Sequence, residues 1–278
     1  MLLGDYYVKH FGRRNKLTGQ LLEFKNYDDY FEKDFSNHKQ MIEWCKKTSE
    51  KEAKQYLIDC LKKRIIKKDL KYAPNTIELF TSNLPTMDMY KALFGSYSNA
   101  CSICDIEPMF KNNLPAKFYD DYGHCKIYID TREQKPLSFP NSEKLKLDVG
   151  DYAVSGDLYS YTYVDRKSFA DLCGTVTIGY DRFKKEMQRC RDVGGYMFVV
   201  VEEDLYQMEE KNKRSPKKFN LSYVFSKMRE IQKEYRDCCQ FLFSGNRTNS
   251  EKLIPKLLVV GKDLWYTDMQ YFLDQNAL

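Results

Sequence analysis

Asp130, Asp151, Asp165 and Lys167 have the types and the spacing to do chemistry. Asp130 closes the apolar run of CKIYID. Asp151 follows Gly150 in GDY. Asp165-Arg166-Lys167 closes YTYVDRK, and Asp171 lies one helical turn further on. Carboxylates that converge at adjacent strand ends can hold Mg²⁺, which takes oxygen ligands and keeps waters. A nearby lysine can orient an activated water or offset charge growing on a phosphoryl centre. An Asp, a spacer and then Asp-x-Lys is the layout of phosphodiester hydrolysis. The same residue types also serve as solvated turn residues with surface ion pairs, and the spacing alone does not choose.

The elements around these residues read as an α/β array. CKIYID is a strand ending at Asp130. KLKLDVGDYAVSGD and LYSYTYVDRK read as two more strands joined by a turn at Ser155-Gly156-Asp157. Ser168 caps a helix over SFADLCG. DRFKKEMQRCRDVGG is an amphipathic helix from Asp181 closed by Gly194. YMFVVVEED is continuously apolar, as a strand buried on both faces is. LSYVFSKMREIQKEYRDC is a long helix, and QFLFSG a last strand. Strands alternating with helices imply a mixed sheet flanked by helices.

Composition sets limits. Of 278 residues, 42% are hydrophobic and 31% charged, enough for real cores. Lys plus Arg number 45 and Asp plus Glu 40, a net charge of +5, so a basic footprint must be local. The longest apolar run, Tyr196 to Val201, is far short of the roughly 20 residues a membrane helix needs. Asp5 interrupts the apolar core that a secretory signal requires. The expectation is a soluble intracellular protein, with no membrane partner and its 9 cysteines mostly as free thiols.

Ahead of the strands lies a helical stretch. EKEAKQYLIDCLKKRIIKK puts Ala53, Tyr56, Leu57, Cys60 and Leu61 on one stripe, with Ser49 or Thr48 as cap. Short helices follow from Pro74, from Thr86 and from Ser96, with Gly95 closing the second. This stretch carries the basic footprint: Lys62, Lys63, Arg64, Lys67, Lys68 and Lys71. Residues 1–45 are an unassigned extension, 46–110 the helical module, 111–122 a linker and 123–278 the α/β domain.

Two resemblances sharpen this reading. Gly150-Asp151, Asp165-Arg166-Lys167 and Asp171 resemble the motif of the XPF-type nuclease domain, a branch of the PD-(D/E)XK superfamily, together with upstream Asp130-Thr131-Arg132-Glu133 and downstream Gly179-Tyr180-Asp181-Arg182-Phe183. The resemblance implies a restriction-endonuclease-like sheet and a Mg²⁺- or Mn²⁺-dependent DNA endonuclease. Asp130, Asp151 and Asp165 would be metal ligands and Lys167 would serve the nucleophile. Arg166 and Asp171 would buttress the site, and Glu133 could be an outer ligand. Position 165 is Asp where the family usually has Glu. Arg132, Glu133 and Arg182 read equally as an ion-pair network or as substrate contacts.

Leu84, Pro85, Tyr90, Phe94, Gly95, Ser96, Tyr97, Asn99 and Ala100 resemble the homing-endonuclease-associated repeat, a small all-α DNA-binding module. Phe94, Tyr97, Ile103 and Leu93 would be its core. Thr86, Asp88, Met89 and Lys91 would face a groove, and Lys62, Lys63, Lys67, Lys68 and Lys71 would track phosphates, with Arg64 beside them. The two resemblances together imply a site-specific homing-type or phage-encoded nuclease. A structure-specific nuclease acting on flaps, forks or junctions, and an inactive DNA-binding relative, remain alternatives. DNA is the expected partner, a homodimer stays open, and no small-molecule cofactor is expected. Cys101-Ser-Ile-Cys104 with His124-Cys125 lacks the spacing of a zinc site.

Overall fold

A computed structural model of the chain describes residues 38–276, so the extension expected over 1–45 lies outside the described residues apart from its last part. The chain divides into two compact units that meet at Met109 and Phe110.

The first unit carries helices α1 (His38–Lys47), α2 (Glu50–Lys68), α3 (Thr76–Thr81), α4 (Met87–Phe94) and α5 (Tyr97–Ile103). Ser49 starts α2 with a capping box shared with Glu52. Ala53, Leu57, Cys60 and Leu61 are buried, as their spacing required. Tyr90 donates to Leu57 O at 3.1 Å and Tyr97 to Pro74 O at 2.7 Å, so both hydroxyls are satisfied inside the core. Two departures stand out. Ile103, expected in the core, is 56% exposed at the end of α5. A two-residue parallel pair, β1 (Tyr72–Ala73) with β2 (Glu107–Pro108), joins the helices.

The second unit is built on a six-stranded mixed sheet. Its strands are β3 (Ile127–Asp130), β4 (Ser142–Leu145), β5 (Tyr152–Val154), β6 (Thr162–Lys167), β7 (Tyr196–Val201) and β8 (Cys239–Phe243). Their order is β4-β3-β5-β6-β7-β8. β5 runs antiparallel to both β3 and β6, whereas β6, β7 and β8 are parallel. The stretch read as one strand, KLKLDVGDYAVSGD, is two. β4 ends at Leu145 on the exposed edge, and the chain turns at Gly150, whose φ of +69° breaks the strand. A Cβ there would stand 3.0 Å from Val164 O and 3.3 Å from Met197.

Helices cover both faces. α10 (Arg247–Val260) buries Leu253, Ile254, Leu257 and Leu258 in a core with Ile127, Val164, Phe198 and Leu242. On the other face lie α6 (Phe169–Thr175), α7 (Tyr180–Asp192) and α9 (Leu221–Glu234); Phe183 of α7 packs against Phe241 with ring centroids 6.3 Å apart. α8 (Met208–Arg214) follows β7, and α11 (Met269–Asp274) ends the described chain. Phe118, inside the stretch expected as a linker, is fully buried in this core, and Lys256 Nζ donates to its carbonyl at 2.8 Å. An aromatic side chain at that position anchors the segment to the second unit.

Candidate active site

Side chains alternate along β6, so Asp165 and Lys167 share one face and Arg166 takes the other. Asp165 is 2% exposed. Its Oδ1 accepts from Lys167 Nζ at 2.5 Å, while its Oδ2 is buried with no hydrogen-bond partner. Burial opposes the charge on Lys167, but Asp165 and Asp151 outweigh it and raise its pKa. The lysine is therefore held as an ammonium.

Asp151 reaches the same place from the neighbouring strand. The turn at Gly150 lets Asp151 N donate to Val164 O at 2.8 Å. Asp151 Oδ2 in turn accepts from Arg166 N, also at 2.8 Å. Burial, and then the Asp165 charge beside it, push the Asp151 carboxyl up to about 8.

A fourth member, Glu186, comes from α7. Its Oε1 accepts from Gly150 N at 3.4 Å, and burial and the Asp165 charge raise its pKa. The sequence reading did not single it out. Its signal was positional: an acid on the inward stripe of Phe183, Met187 and Cys190, three and four residues from its neighbours.

Asp130 is placed differently from the expectation. Its Oδ1 accepts from the backbone and Nε of Arg132 at 2.7 Å each. Its Oδ2 accepts from Arg132 Nη2 at 3.0 Å and from Leu147 N at 2.7 Å. Burial alone would raise its pKa, but Arg132 and these N–H groups hold it below the usual range. Both oxygens being engaged, Asp130 clamps the turn and orients Arg132. The structure brings Asp151, Asp165 and Lys167 together, and Asp130 borders them: its N donates to Asp151 O at 2.8 Å, and the charges of Asp151 and Glu186 act on its partner Arg132.

Arg166 lies on the opposite face, 9% exposed. It pairs with Glu133 at 3.0 Å and Glu202 at 2.9 Å. Arg166 thus supports the site from behind, with its backbone N–H on Asp151. Glu133 is spent on this pair and on Lys135 N, 2.7 Å away. Glu202 was not foreseen. Asp171 serves the cap of α6: Ser168 Oγ donates to its carboxylate at 2.6 Å. Arg182 is exposed on α7.

The residues fit a divalent cation by one test. A buried carboxylate oxygen without a donor, facing a second carboxylate that burial has made basic, is an arrangement a cation would relieve. Among the described residues no three His, Cys, Asp or Glu side chains form a ready cage. Asp151 and Asp165 are the two acids that would hold such an ion, with waters completing its shell.

On the first unit, Lys62, Lys67, Lys71 and Lys91 are exposed, and Lys63, Lys68 and Thr86 are half-buried. Arg64 corrects the expectation. It is 4% exposed, with Nε and Nη2 on the Glu78 carboxylate at 2.9 and 2.8 Å. Lys68 also bonds Glu78. Arg64 is a core ion-pair partner and is withdrawn from any phosphate.

Residues 129–257 match the family model described as the ERCC4 domain. The site lies within the stretch that matches the ERCC4 domain. Two solved structures are similar to the chain, XPF from Aeropyrum pernix and XPF from Aeropyrum pernix in complex with DNA. The first is 18% identical over 50% of this chain and 67% of that one, with a TM-score of 0.37. The second is 18% identical over 49% and 64%, also with a TM-score of 0.37. The chain thus spans about two thirds of those structures. No curated protein matches it. The ERCC4 match takes in Asp130, Asp151, Asp165, Lys167 and Glu186, and it does not extend to residues 46–110. Among the described residues no helix is long and apolar enough to cross a membrane.

Proposed function

We propose that the chain is a divalent-metal-dependent DNA endonuclease that cuts at a specific duplex site, in the manner of homing-type or phage-encoded enzymes. The observation that carries the metal-dependent reading is the buried, unpartnered Asp165 Oδ2 beside Asp151, inside the stretch that matches the ERCC4 domain. Asp151 and Asp165 would hold Mg²⁺ or Mn²⁺, which would polarise the phosphate and activate water. Lys167, kept charged by its two acids, is suited to orient the attacking water and to offset charge on the phosphoryl oxygens. Asp165 has a shorter arm than the family's usual Glu, so the ion would sit about one methylene closer to β6.

The helical unit would grip the duplex through the exposed Lys62, Lys67, Lys71 and Lys91, with Thr86 at the start of α4, whereas the Lys63 ammonium is buried and Lys68 pairs with Glu78. Exchanging Lys62, Lys67 and Lys71 for Glu should weaken DNA binding at every sequence and flatten its salt dependence by roughly three phosphate contacts. The deciding experiment offers a labelled duplex library and a branched substrate, with Mg²⁺ or Mn²⁺, and maps the cut ends. Cleavage at one duplex sequence supports this reading. Cleavage of branched DNA alone, whatever its sequence, would make the chain a structure-specific nuclease. DNA binding with no cleavage in either metal would make it an inactive relative.

A further inference from the structure

We propose that Glu186 is the third acid of the metal centre, engaging the hydration waters of a divalent cation held by Asp151 and Asp165. The proposal rests on the function given above. Each of the three carboxylates is anchored by one oxygen. Asp165 gives Oδ1 to Lys167 Nζ, Asp151 gives Oδ2 to Arg166 N, and Glu186 gives Oε1 to Gly150 N. The anchors come from β6 and from the Gly150 turn, so the orientation of all three acids is set before any ion arrives. The remaining oxygen of Asp165 is buried with no N–H donor, so without metal only the proton shared with Asp151 offsets its charge, and a cation would take that place.

Hydrogen bonding and packing do not account for the Glu186 charge, which the Lys167, Arg189 and Arg132 cations balance in part. The Glu186 bond from Gly150 N is long, at 3.4 Å, and a neutral glutamine would accept it equally well. Its helix is fixed by Phe183 and Met187, both buried in the core, so packing does not need the charge. Nor does Glu186 close a three-acid cage with its neighbours, because no such cage exists among the described residues. An acid set back from the ion is suited to its waters. Mg²⁺ retains several waters when one or two carboxylates bind it, and groups that hold those waters tune its affinity.

The test titrates MgCl₂, and separately MnCl₂, into the full chain without DNA, followed by calorimetry. Asp151→Asn should abolish binding. Glu186→Gln should weaken it roughly 10-fold or more. Glu186→Asp, which keeps the charge but retracts it, should fall between Glu186→Gln and the wild type. Melting in EDTA supplies the second readout: Glu186→Gln should melt at or above the wild-type temperature, since it relieves crowded acids. Glu186→Gln binding Mg²⁺ within twofold of wild type, while Asp151→Asn loses it, overturns the role of Glu186 and leaves the site itself standing. A lower melting temperature in EDTA with unchanged affinity also overturns it, by making Glu186 structural. A wild type that binds neither metal removes the proposed site and Glu186 with it.

Discussion

The Lys167 ammonium sits 2.5 Å from Asp165 Oδ1, and its alternating position on β6 puts it on the same face as that acid. Lys167→Ala should lower the cleavage rate by about 10²–10³-fold, the range seen when a single charge-stabilising donor is lost. DNA affinity should stay within a few-fold, which a gel-shift titration run beside the cleavage assay would show. Asp151 supplies a pH dependence. Its folded carboxyl is raised to about 8 against an ordinary value of 3.8. Between those limits the folded chain keeps a proton that the unfolded chain releases. Stability without metal should therefore fall as pH rises from about 4 to 8, and be lowest above that. Lys167 stays charged across this window and adds no slope. Melting in EDTA at stepped pH tests this, and Asp151→Asn should reduce the slope, leaving the share of Glu186, whose pKa is also raised. Asp151, Asp165 and Lys167 were legible because motif spacing on adjacent strands survives into three dimensions. The part played by Asp130 was not, because four hydrogen bonds closing a turn onto Leu147 leave no trace in residue spacing. Glu186 was hidden for another reason: an acid on an apolar helical stripe reads as tolerated until the sheet beneath it is known.

At the scale of elements, the turn before β5 decides where Asp151 points. Gly150 has a φ of +69°, and a Cβ would press on Val164 O at 3.0 Å. Gly150→Ala should cost about 1–3 kcal/mol in urea unfolding and depress cleavage with it, since the alanine would strain the turn that carries the carboxylate. The helix α2 contributes differently. Arg64 and Glu78 are 4% and 9% exposed in their side chains. Removing Arg64 leaves the buried Glu78 with Lys68 alone, so Arg64→Ala should destabilise the first unit by about 1–3 kcal/mol. Urea unfolding against wild type would read this loss. The central strands and the helices α6, α7 and α9 were readable from alternation, apolar runs and caps, whereas α8, α10 and α11 were not placed. The edge strand β4 was not, since its four residues are all exposed and show no alternation. Arg64 was misjudged because a basic run looks uniform along the chain, whereas only one turn of the helix faces Glu78.

For the whole molecule, the consequential feature is the place of β6 in the sheet. It is paired on both sides, by β5 and β7, and five of its six residues are buried. Asp165 and Lys167 therefore stand on one of the best-protected strands of the second unit. Backbone amides there open only with the unit as a whole. In hydrogen–deuterium exchange, Val164 to Arg166 should be among the last amides to exchange, well after the exposed edge at β4. Heating should then lose activity and structure at one temperature. The second unit, built this way, should have no loosened, half-working state between the intact site and its unfolded form.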